Sequence, residues 1–169
     1  MRNEIEIRQA IESDYMELLR LFDEIFGSVY EDELDYRIKN EIIVVALDGG
    51  KIVGSTGINS ISRTVVNGYE VSWTFVIEEY RGNNLTYEML KKCIEDTRIN
   101  KRIPLYLSDW HFSWKDKSNL NSLIDKMNFK LVIPKYKSYN EKHFKICSEC
   151  PYKKDNCKCF EDLYITKME

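Results

Sequence analysis

The 169-residue chain contains no apolar run approaching the ~20 residues needed to cross a bilayer, so no helical membrane anchor is expected. Its first residues, MRNEIEIRQ, lack both the basic start and the apolar stretch of a secretory leader, and the expected location is cytoplasmic. Low-complexity tracts are also missing. What is present suits a folded protein: apolar residues make up 43% and aromatic residues 12%. One domain over residues 1–169, with room for a small appendage, is the simplest organisation.

The net charge of −3 conceals an asymmetry. The first fifty residues are acidic and can attract cationic amines, whereas Lys135, Lys137, Lys142, Lys145, Lys153, Lys154 and Lys158 crowd the last forty. A basic tail can attract nucleic acid or the phosphates of a cofactor, although a solvated lysine face is the plainer reading.

The most informative stretch runs from Gly68 to Arg98. GYEVSWTFVIEEY reads as a long strand, RGNNLT as a polar loop, and YEMLKKCIEDTR as an amphipathic helix. A strand that turns directly into a helix leaves unpaired N–H groups at the positive end of the helix dipole, and such an end binds phosphate or diphosphate. Many turns of this kind are only connections.

The remaining elements can be set around this stretch. Glu4 to Ala10 alternates as a strand, and Ser13 or Asp14 caps a helix to Phe26. A shorter helix follows over Glu31 to Lys39. Ile42 to Leu47 is a β-branched run suited to a strand buried on both faces, and Asp48-Gly49-Gly50 is hairpin chemistry returning through Lys51 to Asn59. After the helix, Leu105 to Trp110 reads as a strand parallel to the Gly68 strand, because a crossover helix joins them. Ser118 or Asn119 opens a helix to Met127, Asn128 suits a left-handed terminator, and Phe129 to Tyr136 reads as a strand kept to an edge or bulge by Pro134. Asp162 to Thr166 closes the sheet. The expected class is α/β (α+β): a mixed, mostly antiparallel sheet with helices on both faces, plus a small C-terminal metal-binding insertion.

That insertion, residues 137–161, is rich in lysine and cysteine. Cys147, Cys150, Cys157 and Cys159 form Cys-x2-Cys-x6-Cys-x-Cys, a spacing that suits a structural, four-thiolate zinc site in a cytosolic chain. Unbound thiols, a redox pair and an iron–sulfur cluster are the other readings. Cys93, within a helix, reads as core.

The element order from Glu4 to about Tyr136, together with VIEEYRGNNLTYEML, resembles the GNAT superfamily of acyl-CoA-dependent N-acetyltransferases. The resemblance implies acetyl-CoA as cosubstrate, an amine acceptor and, through Val76, Arg81, Gly82, Asn84 and Thr86, a diphosphate-binding loop. The pantetheine arm would pair with backbone near Phe75 and Val76, and the diphosphate would sit on N–H groups from Arg81 through Asn83 and Leu85 to Thr86. Two features depart from the family pattern. Asn84 and Thr86 stand where it usually has glycines, and Ile124 stands where it often has a tyrosine that protonates the departing thiolate.

Acetyl transfer to an amine needs a base and an oxyanion donor. If the strand carries Glu70, Ser72, Thr74 and Val76 on one face, Glu70 is the titratable group there and the expected base. The backbone N–H near Val76 is the simplest oxyanion donor. His111 and Tyr136, with Tyr106 and Tyr139 beside them, are candidates for the acid that the missing tyrosine would have supplied. A solvent-facing glutamate and packed aromatics are the plainer readings of these positions. The leading function is therefore N-acetylation of a primary amine on a small molecule or peptide. The alternative is a catalytically weak acyl-CoA-binding module that engages protein or nucleic acid through the cysteine knuckle. The oligomeric state, monomer or dimer, is left open.

Overall fold

The computed structural model describes residues 4–26, 31–40, 42–63, 66–96, 102–111, 120–136 and 159–167. Strand β1 (Glu6–Gln9) leads through a short 3-10 turn at Glu12–Asp14 into α1 (Tyr15–Phe26), followed by α2 (Glu31–Lys39). Then come β2 (Ile43–Asp48), β3 (Lys51–Arg63), β4 (Val66–Val76), α3 (Leu85–Asp96), β5 (Leu105–His111), α4 (Asn121–Lys126), β6 (Lys130–Tyr136) and β7 (Phe160–Thr166). The strands form one seven-stranded sheet in the order β1-β2-β3-β4-β5-β7-β6. Every neighbouring pair is antiparallel except β4 and β5.

Alternation along the strands divides the core in two. Ile43, Val45 and Leu47 of β2 pack with Leu18, Phe22, Leu34 and Ile38 of α1 and α2, whereas Val44 and Ala46 point the other way, toward Met89, Leu90 and Ile94 of α3. With both faces covered, β2 can be continuously apolar, and all of Ile43 to Leu47 is buried. Cys93 is fully buried in the α3 layer, as expected of a core cysteine.

The hairpin, the crossover and the edge all appear as the sequence indicates. Gly49 and Gly50 take φ of 58° and 87° in the β2–β3 turn, and Asn128 takes φ of 54° after α4. β6 is an edge strand with two irregularities in its register, one of them around Pro134. The cysteine-rich stretch falls mostly outside the described residues. Cys147, Cys150 and Cys157 lie there, and Cys159 precedes β7. Among the described residues no cluster of histidine, cysteine and acidic side chains is placed to hold a metal, and no helix is long and apolar enough to cross a membrane.

Candidate active site

The site is built where the sheet comes apart. β4 and β5 share register only at Tyr69↔Leu105 and Glu70↔Tyr106, at their N-terminal ends. Beyond this, β4 continues along β3 to Val76 and β5 continues along β7 to His111. The two strands thus form a wedge in which, among the described residues, one edge of β4 from Val71 onward has no strand beside it. Gly68 makes the joined end possible, since a Cβ there would stand 2.7 Å from both the Pro104 carbonyl oxygen and Cε2 of Tyr106.

At the open end, β4 passes through a 3-10 turn (Glu78–Tyr80) into the loop and then α3. Gly82 and Asn84 both take left-handed backbone, φ 80° and 60°. Asparagine can therefore do the conformational work of one of the glycines it replaces. The loop is pinned at several points. The Tyr80 hydroxyl donates to Asp48 Oδ2 at 2.7 Å, tying it to the β2–β3 hairpin, and Arg81 Nε donates to the Val76 carbonyl at 3.1 Å. Asn83 Nδ2 donates to the Tyr80 carbonyl at 3.0 Å. The first helical bond runs from Glu88 N–H to the Asn84 carbonyl, so the N–H groups of Leu85, Thr86 and Tyr87 have no partner within the helix. Leu85 itself is buried in the core and offers only its backbone.

A cation that the sequence did not single out stands beside this anion-ready turn. Lys126, from the last turn of α4, donates to Asn84 Oδ1 at 2.6 Å, with its ammonium 5.5 Å from the Tyr87 ring centroid. It lines a groove of about 590 Å³ with Tyr87, Lys91, Lys130 and Lys167. Nothing in the local sequence joins residues 84 and 126, since only the packing of α4 beside α3 brings them together.

The expected strand face needs correcting. Ser72 pairs with Gly57 and Phe75 with Ser55, so β4 places two residues, Trp73 and Thr74, opposite the single Thr56. This is a β-bulge, and Trp73 sits in it with φ of 53°. Left-handed backbone on a bulky side chain costs on the order of 1–3 kcal/mol. The extra residue reverses the alternation. Glu70, Ser72 and Phe75 share the α1/α2 face, whereas Val76 packs on the α3 face and Thr74 bonds Thr56 across 2.7 Å. Glu70 is thus not in line with Val76.

Glu70 is held from the far side of the wedge, where Ser108 of β5 donates its hydroxyl to Oε1 at 2.9 Å. His111 falls on the opposite face, because β5 alternates regularly from Tyr106, Glu70's partner in register. There His111 stacks on Phe160 (4.6 Å between centroids), and its Nε2 lies 3.0 Å from Asp162 Oδ2 and 3.6 Å from Asp109 Oδ2. The two titratable candidates therefore flank the sheet and do not meet. The Tyr136 backbone pairs with Glu161 at the end of β6. Tyr106 is buried with Leu163 as core, and Tyr139 lies outside the described residues. Ile124, on α4, is buried, so no hydroxyl is supplied from that position.

On the Glu70 face, Arg37 of α2 is 3% exposed. Its Nε and Nη2 donate to Glu33 Oε1 at 3.1 and 2.6 Å, its Nη1 donates to Ser72 Oγ at 2.8 Å, and it lies 5.1 Å from the Trp73 ring centroid. Burial pushes the guanidinium below its ordinary pKa, opposed by the Glu33 hydrogen bond and charge and by the charge of Glu70.

Residues 6–107 match the family model described as an acetyltransferase (GNAT) domain. No curated protein sequence matches the chain. Solved structures with a similar fold include an N-acetyltransferase from Staphylococcus aureus Mu50 (15% identity, 99% of this chain and 100% of that one, TM-score 0.65). An acetyltransferase of the GNAT family from Streptococcus pneumoniae is similar over 97% and 99% of the two chains (19% identity, TM-score 0.63). Arabidopsis thaliana NAA60 in complex with acetyl-CoA is similar over 97% and 99% (16% identity, TM-score 0.64).

Proposed function

Because the chain belongs to the acetyltransferase (GNAT) domain family, we propose that it transfers an acetyl group from acetyl-CoA to a primary amine of a small molecule or peptide. The observation that carries this reading is the wedge between β4 and β5, which opens onto a helix N-terminus preceded by two left-handed residues. A thioester with a diphosphate tail fits both features. The tail takes the N–H groups from Arg81 to Thr86, with Lys126 adding positive charge, and the pantetheine arm runs along the backbone edge near Phe75 and Val76. The structural neighbour that holds acetyl-CoA supports the choice of cosubstrate.

In this reading the acceptor amine approaches from the α1/α2 face. Glu70, oriented by Ser108, removes its proton directly or through one water, and the neutral amine attacks the thioester carbonyl. A backbone N–H near Val76 stabilises the oxyanion. His111 or Tyr136 returns a proton to the departing thiolate. His111 is the better placed of the two, since it lies on the α3 face, from which the cofactor enters.

The cysteine set Cys147, Cys150, Cys157 and Cys159 is assigned to one structural zinc, on the chemistry of four thiolates. Metal analysis of the purified chain should return one zinc per chain, and removing it with a chelator should lower the Tm. One observation favours a second reading, an acyl-CoA-binding module with weak catalysis: the buried Ile124 leaves the usual acid position without a proton. The deciding experiment is CoA release with a panel of amines. Turnover lost in Glu70→Gln supports the enzyme, and CoA binding without turnover on any amine supports the module.

A further inference from the structure

Arg37 carries a charge into a layer that is built mainly from apolar side chains. Leu34 and Ile38 seat α2 on the sheet, and a buried guanidinium between them costs more than another aliphatic side chain would. What Arg37 grips is specific. Ser72 and Trp73, its hydrogen-bond and stacking partners, are the residues at which β4 enters its bulge. Trp73 also contacts Phe22 and Phe26, at 4.9 and 5.7 Å between centroids, so Arg37 brings a polar contact to a side chain whose ring partners are aromatic and whose backbone is left-handed. Glu33, one turn earlier on the same helix, fixes the guanidinium plane through two of its donors.

We propose that Arg37 is a positioning residue: by holding Ser72 and Trp73 it fixes the bulge that turns the Thr74–Val76 backbone toward the thioester, and so sets the geometry of acyl transfer from outside the cofactor loop. The inference rests on the acetyl-transfer reading. Sub-ångström placement of reacting groups has large effects on rate, and this clamp acts on the wall against which the carbonyl lies. Because the grip uses a planar fork and a stacked face, lysine cannot replace it.

The test uses the full chain and the variants Arg37→Met, Arg37→Lys and Ser72→Ala. Hydrogen exchange is followed over residues 72–76 and, as control, over β2. The expected result is exchange about tenfold faster at 72–76 in both Arg37 variants, with β2 unchanged. Turnover per folded molecule should fall about tenfold or more, while the KM for acetyl-CoA and the Kd for CoA stay within about threefold, because the diphosphate loop is untouched. Ser72→Ala, which keeps the charge, should move both readouts the same way by a smaller amount, and it decides the matter if the Arg37 variants do not fold. Unchanged exchange at 72–76, equal acceleration in β2, or unchanged turnover overturns the clamp. A wild-type chain that neither binds CoA nor acetylates any amine instead refutes the acetyl-transfer reading, and the exchange measurement, which needs no turnover, still reports on the grip of Arg37.

Discussion

Glu70 and Ser108 illustrate how one pair of side chains can bridge a gap that the backbone leaves open. The strands that carry them stop sharing register at Glu70, yet the 2.9 Å hydrogen bond ties the carboxylate across the wedge. Glu70→Gln preserves shape and removes the proposed base, so kcat should fall about 10²- to 10⁴-fold with CoA affinity unchanged, as steady-state kinetics and calorimetry can check. Lys126 is proposed to serve the cofactor's side. Lys126→Met should weaken CoA binding about tenfold at low salt and less as salt rises, and a salt titration of the Kd measures this. Glu70 could be named as a candidate from the sequence because a carboxylate on the long strand stands out. Ser108 and Lys126 were not, since each depends on which elements the topology brings side by side.

Among the elements, β4 decides most and was read least completely. Its length, its exit into the loop and its parallel neighbour follow from the hydrophobic pattern and the crossover rule. The bulge does not. A bulge adds one residue without leaving a turn signal, and Trp73 in left-handed backbone runs against its own preference, so strict alternation put Glu70 and Val76 on the same face. Gly68 is more readable in retrospect. Gly68→Ala would force a methyl to within 2.7 Å of backbone and ring, and should destabilise the chain by about 1–3 kcal/mol in denaturant melts.

The entry to α1 is held by charge. Asp14 accepts from Arg8 at 2.6 and 3.0 Å and from the Ile11 N–H at 2.8 Å. Burial alone would raise its pKa, but the Arg8 hydrogen bond, the Ile11 N–H and the Arg8 charge together bring it below the usual carboxylate value. The stability this contributes is present above the unfolded value near ~3.9 and is lost as pH falls through the folded one. Asp14→Asn should therefore cost about 1–3 kcal/mol at neutral pH and progressively less in acid, giving a shallower acid limb in urea melts from pH 7 to 3.

For the molecule as a whole, the division of labour between two faces is the organising fact. α1 and α2 line the side from which an acceptor is proposed to arrive, α3 and α4 line the side with the proposed diphosphate turn and its lysines, and the wedge in the sheet is where the two sides meet. The order of elements was readable because each is strongly periodic or bounded by Gly, Asn or Pro. The cysteine-rich segment is a different case, since its spacing indicates a ligand set while its few, scattered apolar residues leave no pattern from which packing can be inferred. The central claim is that CoA occupies the loop between β4 and α3, and calorimetric titration of CoA into the wild-type chain and into Gly82→Trp tests it directly. Saturable binding of one CoA per chain is predicted for the wild type, and its loss is predicted for Gly82→Trp at an unchanged circular-dichroism spectrum; a wild type that does not bind, or a Gly82→Trp chain that binds equally well, would contradict it.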